Sequence, residues 1–259
     1  MSLVAIFESN EKADSLNPFN EHAQLNELES NGFTVVENVL DPTSIATWIR
    51  ELDQLFDSDD ESGKTAIKNR KGAVYAARNI LSNLPGCCDI AKLPELTSLL
   101  TTVLGPDYGL VRGLYFDKHP DRTWSLPWHK DLTIAVQDNS LPSNAFSKPT
   151  NKSGVDHVEA SESVLARMLT LRIHLDPVTE DNGPLEVAIG SHLNGKLSNA
   201  IHNSTKILVG AGDVLAMRPM LSHMSKSSAP DSRMHRRILH LEFAADRKLP
   251  DGYDWHQFL

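Results

Sequence analysis

The stretch "LTLRIHLD" (residues 169–176) sorts itself by parity. Leu169, Leu171, Ile173 and Leu175 form one row; Thr170, Arg172, His174 and Asp176 form the other. Side chains alternate faces along a strand, so one face is apolar and the other carries cations and an imidazole. The apolar face needs cover from another layer. The polar face either meets water, as antiparallel sheets commonly allow, or lines a wet cavity.

Outward from this stretch, further short strands are expected at 108–117, 127–136, 184–189, 213–218 and 235–244. Turn chemistry separates several of them, as in "TEDNGP" (179–184) and "GAGD" (210–213). Before residue 107 the texture is helical. "NEHAQLNELESNG" (20–32) reads as a helix stopped by Gly32, and "FTVVE" (33–37) as a strand. "DPTSIATWIRELDQLF" (41–56) places Asp41 at the N-cap and Pro42 at the first helical position. Its Ile45, Trp48, Ile49, Leu52, Leu55 and Phe56 follow the 3.6-residue spacing of one buried face. "LPELTSLLTTVLGP" (93–106) repeats the pattern between Pro94 and Gly105. Helices followed by many short strands predict a mostly β domain, an antiparallel sandwich or barrel with helices on one outer face. The expected division is one domain, 1–259, with helix-rich support over about 1–106 and a β core over about 107–245.

Composition narrows the function. The 259 residues suffice for a real core. The only cysteines are the neighbours Cys87 and Cys88, too few for a disulfide framework or a Cys-based zinc site. Thirty-four acidic residues against 25 Lys and Arg give a net charge of −9, without a basic patch interleaved with aromatics, which argues against nucleic acid. The acidic "FDSDDESG" (56–63) reads as a solvated loop. No apolar run is long enough for a bilayer, and "MSLVAIFESNEKADSL" lacks the pattern of a signal peptide, so a cytoplasmic protein with no membrane partner is expected. The polar segment "QDNSLPSNAFSKPTNKSGVDH" (137–157) reads as a long loop. Together with the residues up to 166 it is either a lid-like insertion over a site or a plain surface insertion.

His-x-Asp/Glu occurs five times: His119/Asp121, His129/Asp131, His157/Glu159, His174/Asp176 and His240/Glu242. The first spans Pro120 in a turn and the third lies in the polar segment, so both read as surface residues. Each of the other three projects together if its segment is a strand. A two-His-one-carboxylate iron site needs a further His from a different strand and leaves open positions for a co-substrate and oxygen. His223, between "GDVLAMRP" and a Ser-rich turn, fits that need; a capping or surface histidine is the alternative. A dicarboxylate co-substrate also needs a cation at its far end. In "HRRILHLEF" (235–243), Arg237 shares the apolar face of Leu239, Leu241 and Phe243, whereas Arg236 shares the mixed face of His240 and Glu242. Parity selects Arg236, and it turns Arg172 and His174 inward if the apolar face of 169–176 meets the helices.

The succession of His129-x-Asp131, "DNGPLEVAIGSH" (181–192), "GDVLAMRPMLSH" (212–223) and "RRILHLEFA" (236–244) resembles the phytanoyl-CoA dioxygenase family, from "NGFTVVENVL" (31–40) onward. The resemblance implies a double-stranded β-helix, or jelly roll, and an Fe(II)- and 2-oxoglutarate-dependent dioxygenase that uses O2. It makes His129, Asp131 and His223 the iron ligands, Arg236 the grip on the distal carboxylate of 2-oxoglutarate, and Ser225 its helper. Arg172 stands where relatives carry another kind of side chain, against co-substrate or substrate, and Lys118 is expected at the mouth. Related halogenases carry a small residue in place of the carboxylate, so Asp131 favours hydroxylation of a small-molecule substrate. Lys148 and Lys152 are candidates for a basic cleft, as Trp124 and Trp128 are for a pocket wall. A zinc-dependent hydrolase or isomerase on the same barrel, or a catalytically silent metal-binding module, stays open beside this reading.

Overall fold

The computed structural model describes residues 21–57, 66–68, 72, 74–198 and 200–259. The first position of the expected 20–32 helix and most of the acidic 56–63 run lie outside the described residues. In chain order the elements are α1 (Glu21–Ser30), β1 (Phe33–Val36), α2 (Pro42–Asp57), β2 (Ala66–Lys68), β3 (Val74–Ala77), α3 (Cys87–Ile90) and α4 (Pro94–Leu104). There follow β4 (Gly109–Asp117), β5 (Leu126–His129), β6 (Thr133–Val136), β7 (Phe146–Lys152), β8 (Val155–Ala160), α5 (Glu162–Leu165) and β9 (Met168–His174). The chain closes with β10 (Leu185–Ala188), β11 (Ser204–Ile207), β12 (Val214–Met217), β13 (His223–Ser225) and β14 (Arg237–Ala244).

Seven strands form one sheet in the order β1-β12-β9-β14-β4-β3-β2. A second sheet runs β11-β10-β13-β5, and a three-stranded sheet runs β6-β8-β7. All pairings are antiparallel, and the fold is the mostly β jelly roll expected. The outer face of the large sheet carries Leu169, Leu171, Ile173, Leu175, Leu239, Leu241 and Phe243 into one core with Leu28, Leu52, Leu96, Leu99 and Leu100 of the helices. Truncating such a leucine to alanine costs about 2–5 kcal/mol, so the helices hold the sheet's hidden face and leave its other face to the site. The N-cap of α2 is as read: Asp41 accepts from the backbone N–H of Thr43 (2.8 Å) and of Ser44 (3.1 Å). Among the described residues no helix is long and apolar enough to cross a membrane.

Three expectations are corrected. The 127–136 segment is two strands, because β5 stops at His129 and Asp131 lies in the break before β6. The 137–157 segment is a loop only as far as 145: from Phe146, β7 and β8 make a hairpin that pairs with β6, Ala135 opposite His157. His157 is therefore a buried strand residue and not a surface one, while Glu159 takes ion pairs from Lys148 (2.7 Å) and Lys196 (3.0 Å).

Candidate metal centre

β5 and β13 are neighbours, and their register sets His129 directly opposite His223. Each imidazole is oriented by its own strand. His129 Nδ1 lies 2.7 Å from the Pro127 carbonyl and His223 Nδ1 lies 3.0 Å from the Leu221 carbonyl. A carbonyl only accepts, so both Nδ1 atoms carry the proton and donate, and both Nε2 lone pairs are left for a ligand. This is the usual way a protein fixes a ligating tautomer. Asp131 reaches the same point from the strand break, where its N–H donates to the Pro219 carbonyl (3.0 Å). One ligand atom from each of the three side chains lies within 4.8 Å of the others, and Asp131 Oδ2 is 3.6 Å from His223 Nε2.

Their electrostatics suit a cation. Burial pushes His223 down to about 4, with the Asp131 charge opposing that push, so the ring is neutral at pH 7. Burial works to raise the Asp131 carboxyl, but the imidazoles of His223, His240 and His129 and the Arg112 guanidinium outweigh it and hold the group below the usual carboxylate range. A carboxylate beside two imidazoles that each offer Nε2 is the donor set of a non-haem iron site with open positions.

Deeper in the barrel sit three buried basic side chains, the Lys118 amine and the Arg172 and Arg236 guanidinium groups. Lys118 is fully buried rather than at the mouth, as was expected of it. Its Nζ lies within hydrogen-bond reach of the Gly183 carbonyl (3.2 Å), Ser225 Oγ (3.1 Å) and the Lys226 carbonyl. Arg236 donates to the same Gly183 carbonyl. The Asn-Gly turn explains this convergence: Gly183 holds φ +68°, and a Cβ there would meet the Lys226 carbonyl oxygen at 2.4 Å. Asn182 pins the turn by accepting from the Thr179 N–H (2.9 Å) and donating to the Pro177 carbonyl (2.8 Å). Arg172 faces inward as expected and donates to His240 Nδ1 (3.1 Å). His240 therefore carries its proton on Nε2 and donates to Glu242 (3.1 Å), which in turn meets Arg112 (3.4 Å).

None of Lys118, Arg172 and Arg236 has a carboxylate in ion-pair contact among the described residues. Burial first, then Arg236 and Arg172, pushes Lys118 down to about 6; burial and Arg172 bring Arg236 to about 9. The Nε atoms of Arg172 and Arg236 are buried without a partner. Unpaired buried cations are expensive, and an anion is the chemistry that relieves them. Arg237, by contrast, is engaged on the other side of the strand, where it forks onto Asp176 (2.8 and 2.6 Å).

Of the remaining candidates, His119 and Asp121 form a tight turn, the Asp121 N–H donating to His119 Nδ1 (2.9 Å). Trp124 packs on Tyr75 with ring centroids 5.5 Å apart and lies under the Lys118 ammonium, 5.8 Å from its Nζ. The sequence reading passed over Arg112, although in "LVRGLYFDK" (110–118) it shares the parity of Lys118. Its guanidinium donates to the Thr133 carbonyl (2.6 Å), tying β4 to the start of β6.

A family model described as phytanoyl-CoA dioxygenase (PhyH) matches residues 28–235. The chain belongs to this family, and with it to the non-haem iron, 2-oxoglutarate-dependent oxygenases. No curated protein matches it in sequence. Among solved structures it is similar to AviO1 from Streptomyces viridochromogenes Tue57, at 21% identity over 91% of this chain and 99% of that one, with a TM-score of 0.64. It is also similar to EctD from S. alaskensis with bound Fe, at 16% identity over 94% and 82%, TM-score 0.66. A third is the non-haem alpha-ketoglutarate-dependent epimerase SnoN of nogalamycin biosynthesis, at 15% identity over 86% and 82%, TM-score 0.61.

Proposed function

We propose that the chain is an Fe(II)- and 2-oxoglutarate-dependent hydroxylase of a small molecule, with His129, Asp131 and His223 as the iron ligands. The observation that carries this reading is the pairing of the triad with a buried, anion-seeking cation cluster in the same barrel. Bound there, iron and 2-oxoglutarate supply the oxidising chemistry: 2-oxoglutarate, O2 and a substrate C–H give succinate, CO2 and the hydroxylated product.

The protein's own part is position and exclusion of water. Arg236 and Lys118 take the distal carboxylate of 2-oxoglutarate, and Ser225, already in hydrogen-bond contact with Lys118, adds a hydroxyl. The His240–Glu242–Arg112 chain fixes the Arg172 guanidinium beside them, so that it orients the co-substrate without swinging. The carboxylate of Asp131 fills the position a halide needs in the related halogenases, which favours hydroxylation. The β7–β8 hairpin within 137–166, held by its pairing with β6, would flank the open side of the site and help keep water out.

The test is anaerobic. Fe(II) and 2-oxoglutarate added to the apo-protein should produce the visible charge-transfer band of the chelate. The band should vanish in His129→Ala and need at least ten-fold more 2-oxoglutarate in Arg236→Ala. Tight zinc binding with no band in the wild type would move the protein to a hydrolytic or silent class.

A further inference from the structure

A second group of cations, separate from Lys118, Arg172 and Arg236, acts on the iron-ligand carboxylate Asp131. The triad opens on the His129 and Asp131 side, where both residues are half-buried; 27% of the Asp131 side chain is accessible against 4% for His223. Close to Asp131 in charge are Arg112 on β4 and Lys152 at the end of β7, and Arg78, the first residue past β3, lies within the field of both. Two contacts bring them together. Asn79 Nδ2 donates to the Ser153 carbonyl (3.3 Å), which fastens the tip of the β7–β8 hairpin beside Arg78. Arg112 reaches from β4 to the Thr133 carbonyl, two residues past Asp131.

The three are not equivalent. Arg112 is engaged by Glu242 and Thr133, although its buried Nε has no partner. Arg78 and Lys152 are half-buried, and among the described residues neither side chain has a hydrogen bond or an ion pair. Their fields overlap: burial and then Arg112 lower Arg78, while burial, Arg112 and Arg78 lower Lys152, with Glu242 and Asp131 opposing. Lys148 on the same hairpin behaves as an ordinary surface cation and pairs with Glu159. In a chain of net charge −9, two half-buried side-chain cations without a carboxylate partner among the described residues, one of them in the field of Asp131, call for an anion.

We propose that Arg78 and Lys152, backed by Arg112, bind an anionic group of the substrate, a carboxylate or a phosphate, on the Asp131 side of the iron. This rests on the oxygenase reading and narrows its substrate to a small acid. The anion sits against the hairpin and the C–H to be oxidised lies between it and the triad. The 2-oxoglutarate carboxylate occupies a different place, against Lys118 and Arg236. A guanidinium and an ammonium together fix an oxyanion in both orientation and charge.

The experiment uses the full chain loaded anaerobically with Fe(II) and saturating 2-oxoglutarate, titrated calorimetrically with inorganic phosphate, benzoate and neutral benzamide. At least one anion should bind saturably, and benzamide at least ten-fold more weakly than benzoate if the carboxylate is the preferred group. Whether phosphate or benzoate binds tighter separates the two sources. In Arg78→Gln/Lys152→Gln the anion should bind at least ten-fold more weakly, with 2-oxoglutarate affinity, read from the charge-transfer band, within two-fold of wild type. The charge-preserving pair Arg78→Lys/Lys152→Arg should retain anion binding, which guards against loss through misfolding. The proposal is overturned by anion binding that is equal in the Gln variant, absent, or seen only without 2-oxoglutarate. Absence of the charge-transfer band would sink the oxygenase reading instead, and the calorimetry would still judge the anion site.

Discussion

His129 and His223 face each other across paired strands with ring centroids 4.3 Å apart and planes inclined by 54°. Each ring donates its Nδ1–H to the carbonyl two residues earlier in its own chain segment. Two rings held this close would repel if both were protonated. With both Nδ1–H groups spent on backbone carbonyls, both Nε2 atoms are turned to one point, which is what a divalent cation requires.

Metal binding should therefore stabilise the fold and depend on each triad member. At a free metal concentration of 100 times Kd the linkage is about 2.7 kcal/mol, several degrees in melting temperature. Differential scanning calorimetry with Fe(II) under anaerobic conditions should show that rise in the wild type. His223→Ala and Asp131→Ala should show little or none, and their metal content after desalting should fall at least ten-fold. An undiminished shift in either variant would place the metal elsewhere.

Gly183→Ala tests the turn that presents its carbonyl to Lys118 and Arg236. A Cβ there is opposed twice, by φ +68° and by approach to the Lys226 carbonyl oxygen at 2.4 Å and Lys118 Nζ at 2.9 Å. The strained backbone alone costs about 1–3 kcal/mol. The variant should unfold at lower urea, and its 2-oxoglutarate affinity should drop at least ten-fold because Lys118 is displaced. Loss of stability with unchanged co-substrate affinity would mean that the turn only holds the fold.

Parity made the inner and outer faces of 169–176 and 236–244 legible, since both strands lie in the large sheet with helices on one side and the site on the other. The same rule failed at 127–136. His129 and Asp131 converge because β5 ends there and the chain breaks, which no alternation encodes. The β7–β8 hairpin was hidden for a different reason. β7 reads "FSKPTNK", exposed along most of its length, so it shows no period-2 apolar row. β13 has three residues, too few for any periodicity, yet it carries His223 and Ser225. Lys118 was expected at the mouth, because its depth depends on the Gly183 turn folding over it, which the sequence does not show.

The metal-free protein should lose stability as pH falls below neutrality. Burial pushes His157 and His223 down to about 4 and His174 to about 3, against an ordinary value of 6.5. Their folded values are depressed, so the unfolded chain binds more protons between about pH 3 and 6.5. Stability is full above 6.5 and is lost as pH drops. Between pH 7.5 and 5.5 each such histidine contributes about 1.4 kcal/mol of loss, or roughly 4 kcal/mol for three independent groups. Urea midpoints across this range should fall steeply, and His174→Gln should flatten the slope by about a third. A flat profile would show that these rings titrate normally.

Binding of 2-oxoglutarate should take up a proton through Lys118. In the free protein its ammonium is pushed down to about 6 by burial and by the neighbouring Arg236 and Arg172, so at pH 7.5 it is largely neutral. A carboxylate placed against it favours the charged form and raises that value. The sign follows: above pH 6 the complex holds more protons than the free partners, so affinity weakens as pH climbs until the pKa of the complex is passed. Each pH unit in that window should cost up to ten-fold in Kd. Calorimetric titrations of the metal-loaded protein at pH 7.5, in two buffers with different ionisation enthalpies, should report an uptake approaching one proton. Lys118→Met should bind more weakly and take up none, its dependence on pH becoming flat. Uptake that persists in Lys118→Met would assign the proton to another group in the barrel, and Arg236, brought to about 9, is the next to test.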